Sequence, residues 1–302
     1  MKNKKYVWWV IALLVLVGGY FWITNLPGSP VTEETGEETQ VPSNEITPGG
    51  EEVEQSPVSV LGTSAGGNDI LAYNYGAGDK NLLFIGGIHG GYSWNTALVA
   101  YELIDYLEAN PGVLPANVKV TVIPVLNPDG LEKVFGTTGR FSDSQAPANQ
   151  AATVPGRFNA NNVDLNRNFD CDWQAKAMWQ TTPVSGGTSA FSEPEARALK
   201  NYIDANNPSA VVAWYSAVGG VFSSNCHNGI LAETKEITNV YADASGYRAY
   251  EQWSFYETTG DAVNWMAKEG IPAISVLLTT HKDIEWDKNR AGVLALFEHF
   301  AE

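Results

Sequence analysis

The sequence predicts an α/β fold, a three-layer α/β/α sandwich around a mixed central sheet. Three observations predict it. Short apolar runs of strand length alternate with amphipathic helical stretches from Val58 onward, the pattern of strands joined by crossover helices. The 302 residues, 44% of them apolar, suffice for one large core. The stretch from Leu131 to Ala190 follows neither period. It is too long for a simple connection and reads as functional surface carried on a rigid frame.

The elements follow in order. Asn81 to Ile88 is a buried strand, followed by an amphipathic helix over Ser93 to Ala109. Val118 to Val125 is a second strand, ended by the turn sequence Asn127-Pro128-Asp129-Gly130. Ser192-Glu193-Pro194-Glu195 opens a helix running to Asn206, with its acids in the first turn. Ala210 to Trp214 and Ile274 to Leu278 are further buried strands. Ile284 to Phe300 closes the chain as a helix whose apolar face is Val293, Leu294, Leu296, Phe297 and Phe300. In such a sheet, ligands bind at the carboxyl ends of the strands.

This domain occupies residues 58–302, and two segments of different character precede it. Residues 1–26 read as a transmembrane anchor. Lys2, Lys4 and Lys5 precede the uncharged run Tyr6 to Ile23, long enough at helical rise to nearly span a bilayer core. Trp8 and Trp9 at one end and Tyr20, Phe21 and Trp22 at the other stand where interfacial aromatics do. The lysines place the N-terminus in the cytoplasm and the body outside it. No Ala-x-Ala-like site follows the run, so the expectation is an uncleaved anchor, not a signal peptide. Residues 27–57 are an acidic linker rich in Glu, Thr, Pro and Gly, and no Lys or Arg occurs between Lys5 and Lys80. Such a segment is expected to stay disordered, extended by its own charge. A formal net charge of -16 makes nucleic acid an unsuitable partner.

The two cysteines, Cys171 and Cys226, each follow a motif or strand that should border the same site. Outside the cytoplasm such a pair is expected to be bonded. The most informative stretch is GRFNANNVDLNRNFDCDW, Gly156 to Trp173. Polar side chains there flank a short apolar strand (Val163, Leu165), with Arg157 and Arg167 to either side. Each guanidinium can grip both oxygens of a carboxylate.

Seven segments in this order carry a resemblance: GGIHGGYSWNT (from Gly86), VLNPDG (from Val125), GRFNANNVDLNRNFD (from Gly156), FSEPEARAL (from Phe191), VFSSNC (from Val221), FYETTGDAVNW (from Phe255) and GIPAISVLLTTH (from Gly270). Together they resemble the zinc carboxypeptidases of the carboxypeptidase A type, over most of residues 60–300. The resemblance implies a carboxypeptidase-like sandwich and a zinc ion held by a His and a Glu after the first buried strand and by a His after a later one. His89 fits the first ligand. The Glu belongs three or four residues on, at Tyr92 or Ser93, and Ser93 is taken as the replaced position. The second His falls at Tyr215, and a general-base Glu falls at Leu277 or Leu278, with Leu277 preferred. A lone His does not make the three-ligand site with an open water position that catalysis needs. Hydrolysis by this route is expected to be lost, and no cofactor is expected to be resident.

The binding residues implied by the same resemblance are kept. Arg157 resembles the arginine that polarises the scissile carbonyl. Asn166 and Arg167 resemble the pair that clamps a terminal carboxylate, and Tyr256 the tyrosine that closes over the ligand. Val263 lies at the expected base of a side-chain pocket and points to an apolar C-terminal residue. Plainer readings stand beside these. His89 would be a buried histidine held by a hydrogen bond, Asn166 and Arg167 would bridge to Asp164 or Asp170, and Tyr256 would be a surface aromatic. Glu257 and Asp261 read as solvated, helix-starting charges. His227, His281 and a reduced Cys226 have no recognised metal-ligand spacing.

The expected function is a membrane-anchored, extracytoplasmic pseudo-peptidase. It would bind the free C-terminal carboxylates of protein or cell-wall stem peptides without cutting them. The alternative is an active zinc metallocarboxypeptidase with an atypical site, and a third reading is a structural surface domain whose cleft binds nothing.

Overall fold

The computed structural model describes residues 57–301. The expected anchor (1–26) and, except for Pro57, the expected linker (27–57) lie outside the described residues. The elements run β1 (Val58–Thr63), β2 (Asp69–Tyr75), β3 (Lys80–Ile85), α1 (Trp94–Ala109), β4 (Val118–Ile123), α2 (Pro128–Phe135), β5 (Lys176–Trp179), β6 (Thr182–Ser185) and α3 (Pro194–Asn206). They continue with β7 (Ala210–Ser216), β8 (Gly220–Ser223), α4 (Ala232–Ser245), β9 (Ala249–Tyr250), α5 (Ala262–Lys268), β10 (Ala273–Leu278) and α6 (Trp286–His299).

The main sheet has the order β1-β2-β4-β3-β7-β10-β8-β9. Its centre, β4-β3-β7-β10, is parallel, whereas β2 on β4 and β8 on β10 are antiparallel. The sheet is therefore mixed. Its central strands are apolar on both faces, as a sheet covered on both sides requires. Leu82, Phe84, Val212, Trp214, Val276 and Leu278 pack on one face with α1, α4 and α6 through Leu103, Tyr241 and Phe297. Leu83, Ile85, Val211, Ala213, Tyr215 and Leu277 pack on the other with α3 and α5 through Leu199, Ile203, Trp265 and Met266. This two-residue alternation sorts the side chains into two cores, and each fully buried Leu or Phe contributes roughly 1.5–3 kcal/mol. The second face also takes Leu165 and Phe169 of the polar segment.

Three expectations need correction. Asn127-Pro128-Asp129-Gly130 is not a free turn but the start of α2. Asn127 Oδ1 accepts the Gly130 N–H at 2.8 Å, with Pro128 in the first turn. The same residues that open turns also cap and start helices. The Leu131–Ala190 stretch is more ordered than expected. Its first residues finish α2, three 3-10 turns follow (Asp143–Gln145, Gln150–Arg157, Leu165–Arg167), and β5 and β6 form an antiparallel hairpin. The closing helix begins at Trp286, not Ile284.

Candidate functional site

A cleft of about 290 Å³ opens at the carboxyl ends of β3, β7 and β10, where ligands of α/β sheets bind. His89 follows β3. Tyr215 and Leu277 are the penultimate residues of β7 and β10 and are direct neighbours in the parallel register. Glycines let the loops converge here. A Cβ on Gly130 would lie 2.2 Å from the Gly156 carbonyl oxygen, and one on Gly90 would lie 2.7 Å from that same oxygen. The loops carrying His89, Asn127 and Arg157 therefore meet backbone to backbone.

The polar segment folds back on itself. Asn159 Oδ1 accepts the N–H groups of Asn161 and Val163, and Phe158 bridges Asp164 antiparallel. This sets Arg157 beside Asp164, and Arg157 Nε donates to Asp164 Oδ2 at 2.8 Å. Both side chains are buried. Burial alone would raise the Asp164 pKa, but the charge of Arg157 and the contact with His89 outweigh it and hold the carboxyl far below its usual range. The other oxygen of Asp164 accepts the Asn166 N–H and starts the next turn. Among the described residues Arg157 donates a side-chain hydrogen bond only through Nε, and its guanidinium lies over the rings of Trp179 (4.4 Å) and Tyr92 (5.5 Å). Its terminal nitrogens remain for the cleft.

His89 meets Asp164 at the outer limit of hydrogen-bond distance, with Nε2 3.5 Å from Oδ1, and among the described residues neither ring nitrogen makes a hydrogen bond of good geometry. Burial first, then the Arg157 charge, lower its pKa to about 4, so the ring is neutral at pH 7.

Arg167 is 1% exposed. Its Nε donates to the Met178 carbonyl at 2.9 Å and its Nη1 to the Asn166 carbonyl at 2.7 Å. Among the described residues no carboxylate lies within 4.0 Å of it. It therefore bridges to neither Asp164 nor Asp170; the latter pairs with Lys268. Gly260, at φ +64°, lets its chain cross the Arg167 backbone, because a Cβ there would sit 2.2 Å from the Arg167 carbonyl oxygen. Asn166 is committed within the protein. Its Oδ1 accepts the Ala262 N–H (3.0 Å) and the Tyr215 hydroxyl (3.2 Å), and its Nδ2 donates to Asp261 Oδ2 (2.7 Å). Tyr215, whose pKa is raised by burial and then by Asp261, is a neutral donor.

The remaining walls are aromatic and apolar. Tyr92 packs edge-on against Trp179, and its hydroxyl is 3.4 Å from His281 Nε2. Leu277 and Val263 line the cleft; Leu278 faces the opposite core. Half-buried Tyr256 also lines it and packs on Trp253 at 5.1 Å. Ser93 is a different case. It is buried at the start of α1, its hydroxyl has no hydrogen-bond partner among the described residues, and it is Tyr92, not Ser93, that faces the cleft. Asp261 does start α5, accepting the Asn264 N–H, but it is buried against the cleft, not solvated. His227 is exposed and pairs with Asp172. Cys171 and Cys226 are disulfide-bonded, tying the end of the polar segment to the loop after β8.

The α/β sheet thus carries two buried guanidiniums, Arg157 and Arg167, in a cleft at the carboxyl ends of its parallel strands. A family model described as zinc carboxypeptidase matches residues 49–287, most of the chain, and the chain belongs to that family. It is 29% identical over 160 residues to carboxypeptidase D of Rattus norvegicus, covering 51% of this chain and only 9% of that protein. Among solved structures it is similar to murein-tripeptide amidase MpaA from Escherichia coli O157 (TM-score 0.55, 20% identity, 82% of this chain and 92% of that one). It is also similar to bovine thrombin-activatable fibrinolysis inhibitor in complex with tick carboxypeptidase inhibitor (TM-score 0.62, 15% identity, 80% and 89% covered). At those identities the structures establish the fold.

The family's zinc does not fit the residues present. Of the positions that would hold it, only His89 carries a ligand side chain. Tyr92 is turned to Trp179 and His281, and the Tyr215 hydroxyl is spent on Asn166. Among the described residues, no group of three or more His, Cys, Asp or Glu is placed to hold a metal ion.

Asp164, Tyr92 and His281 were named in the sequence but not in these roles, and Trp179 was not named. Asp164 carried a signal, being the one acid inside the polar segment between the two arginines. Tyr92 carried one as well, three residues after His89. Trp179 and His281 carried none, since the β5-β6 hairpin and the loop after β10 were not foreseen as walls.

Proposed function

We propose that this domain binds peptides by their free C-terminal carboxylate and does not hydrolyse them. The observation that carries the reading is Arg167, a fully buried guanidinium at the cleft with no carboxylate within 4.0 Å among the described residues. A buried cation without a counter-ion is expensive, and a ligand carboxylate supplies the missing charge with bidentate geometry. Arg157, with Nε held by Asp164, offers its terminal nitrogens to a peptide carbonyl. Tyr256 stands at the wall to close over it. With Tyr92, Tyr215 and Leu277 at the metal and base positions, those positions supply no group to activate water. The ligand class is peptide, either a protein C-terminus or a cell-wall stem peptide. The similarity to a murein-tripeptide amidase and to an inhibitor-bound relative supports that class. The disulfide suits an extracytoplasmic domain, tethered to a membrane by the residue 1–26 segment through an acidic stalk.

The rival reading, an active zinc carboxypeptidase with an atypical site, rests on family membership and on the two unpartnered nitrogens of His89. One measurement separates them. The full-length chain is equilibrated with zinc, desalted and assayed for metal and for release of C-terminal residues. No retained zinc and no release, together with binding of carboxylate-ended peptides that Arg167→Ala weakens at least tenfold, is the expected result. About one zinc per chain with chelator-sensitive release supports the rival. No binding of any free-carboxylate peptide overturns the proposal.

A further inference from the structure

Arg157 is 3% exposed, and its one side-chain hydrogen bond among the described residues runs from Nε to Asp164. A single bond at Nε does not by itself fix where the terminal nitrogens point. Two rings form a corner that does. The Arg157 guanidinium lies 4.4 Å from the centroid of Trp179 and 5.5 Å from that of Tyr92. The two rings meet edge-on, 5.0 Å apart at an interplanar angle of 77°. A cation is drawn to a ring face by the ring's quadrupole, and more strongly where water is excluded. A guanidinium seated on a ring keeps its N–H edge for a ligand. Trp179 is the nearer of the two rings, and it lines the cleft.

Trp179 is carried by the β5-β6 hairpin. Strand alternation puts Ala177 and Trp179 on the inner face of β5, where Ala177 is buried opposite Val184, and leaves Met178 42% exposed. The Met178 backbone nevertheless reaches inward, since its carbonyl accepts Arg167 Nε at 2.9 Å. Adjacent residues of one strand thus hold both guanidiniums, one by a ring and the other by a main-chain carbonyl. The other strand ties the hairpin to the polar segment, because the Ser185 carbonyl accepts the Asp164 N–H at 3.0 Å. Resting on the carboxylate-binding reading, we infer that Trp179 is a positioning residue. Its ring aims the terminal nitrogens of Arg157 at the peptide carbonyl that precedes the terminal residue, and β5 holds that subsite in register with the carboxylate subsite of Arg167. Because Arg167 is held through backbone, a change of the Trp179 side chain disturbs the carbonyl subsite and spares the carboxylate subsite.

The test is calorimetric titration of the full-length chain with N-acetylleucine and with isocaproate, the same acid without its acetamido group and so without the carbonyl. The unaltered chain is expected to bind N-acetylleucine more tightly. Trp179→Leu is expected to weaken N-acetylleucine about tenfold and isocaproate less than about twofold. Trp179→Met, which keeps apolar bulk without a ring face, is the second variant and is expected to give the same split. Trp179→Phe restores a face and is expected to recover most of the affinity. In an Arg157→Lys background Trp179→Leu is expected to add less than about twofold, since a residue that acts only through Arg157 has nothing left to position. Equal weakening of both acids means that Trp179 only supports the fold, and overturns the inference. No weakening of either acid, the same loss in Trp179→Phe as in Trp179→Leu, or a full tenfold loss in the Arg157→Lys background overturns it as well. Each of these leaves the carboxylate reading standing. If the unaltered chain binds neither acid, both readings fall.

Discussion

His89 gives the domain an acid-sensitive stability that can be worked out from the cleft. Burial first, then the charge of Arg157, place its pKa at about 4 against 6.5 for a free imidazole. The unfolded chain takes a proton on this ring as pH falls through 6.5, whereas the folded chain does so only near 4. Within that window the unfolded state binds more protons, so stability present above pH 6.5 is lost as pH falls toward 4. At about 1.4 kcal/mol per pH unit, taking the chain from pH 7 to 4.5 costs about 2.5 kcal/mol through this one residue. His281, also lowered to about 4 by burial and then by Arg157, adds a loss of the same sign.

The assay is urea unfolding of the full-length chain followed by tryptophan fluorescence, in EDTA, at pH 7 and 4.5. His89→Gln keeps a side chain of similar reach that does not titrate. The variant is expected to lose about 2.5 kcal/mol less than the unaltered chain between the two pH values. Using the difference between the two proteins cancels the exposed carboxylates and His281. If the variant and the unaltered chain lose equal stability, within about 0.5 kcal/mol by the usual error of such extrapolations, then His89 is not a buried neutral ring and the electrostatic account of the cleft is wrong.

Three further outcomes are expected. Asp164→Ala leaves the Arg157 guanidinium buried without its partner, and urea unfolding at pH 7 should register a loss of about 3–5 kcal/mol; a loss under 1 kcal/mol contradicts the pairing. Replacing Cys171 and Cys226 together by serine opens a loop with a sequence separation of 55. Calorimetry should then show a loss of about 4 kcal/mol, with equal stability under reducing and oxidising conditions. Finally, Tyr92→Glu with Tyr215→His and Leu277→Glu rebuilds the family's ligand and base positions around His89. Metal analysis should find zinc retained after desalting, and the same set with Ser93→Glu in place of Tyr92→Glu should not retain it.

The last pair of variants shows where the sequence was legible and where it was not. Central strands announced themselves, because β3, β7 and β10 are apolar on both faces and carry no competing helical period. The edge elements did not. β1 and β9 are only partly covered, so their composition carries little burial signal. β2 and β8 lie in the same class of short or half-covered strand. The arginines were legible because the polar segment places two guanidiniums around a single acid. The choice between Tyr92 and Ser93 was not, since a one-residue difference in a loop has no periodicity to settle it. Only the packing of Tyr92 on Trp179, across an unforeseen hairpin, decides it. For the neighbouring pair Leu277 and Leu278, strand alternation decides, sending one to the cleft and the other to the opposite core.

The replaced positions also make electrostatic sense as a set. In the family's pattern the site holds a divalent cation, a ligand carboxylate and a general-base carboxylate, whose formal charges sum to zero. Here Tyr92, Tyr215 and Leu277 occupy those positions and are all neutral, Tyr215 with its phenol pKa raised by burial and then by Asp261. Removing the metal and both acids together leaves the cleft's formal charge unchanged. Losing the metal alone would leave two buried carboxylates close to any incoming peptide end, which they would repel. Losing the acids alone would leave an ion with too few ligands. Arg157 stays paired with Asp164, and Arg167 has no carboxylate within 4.0 Å among the described residues. On the proposed reading, removal of the catalytic charges in this combination would discard water activation and preserve the field that captures a carboxylate. That is the pattern expected of a cleft retained for binding.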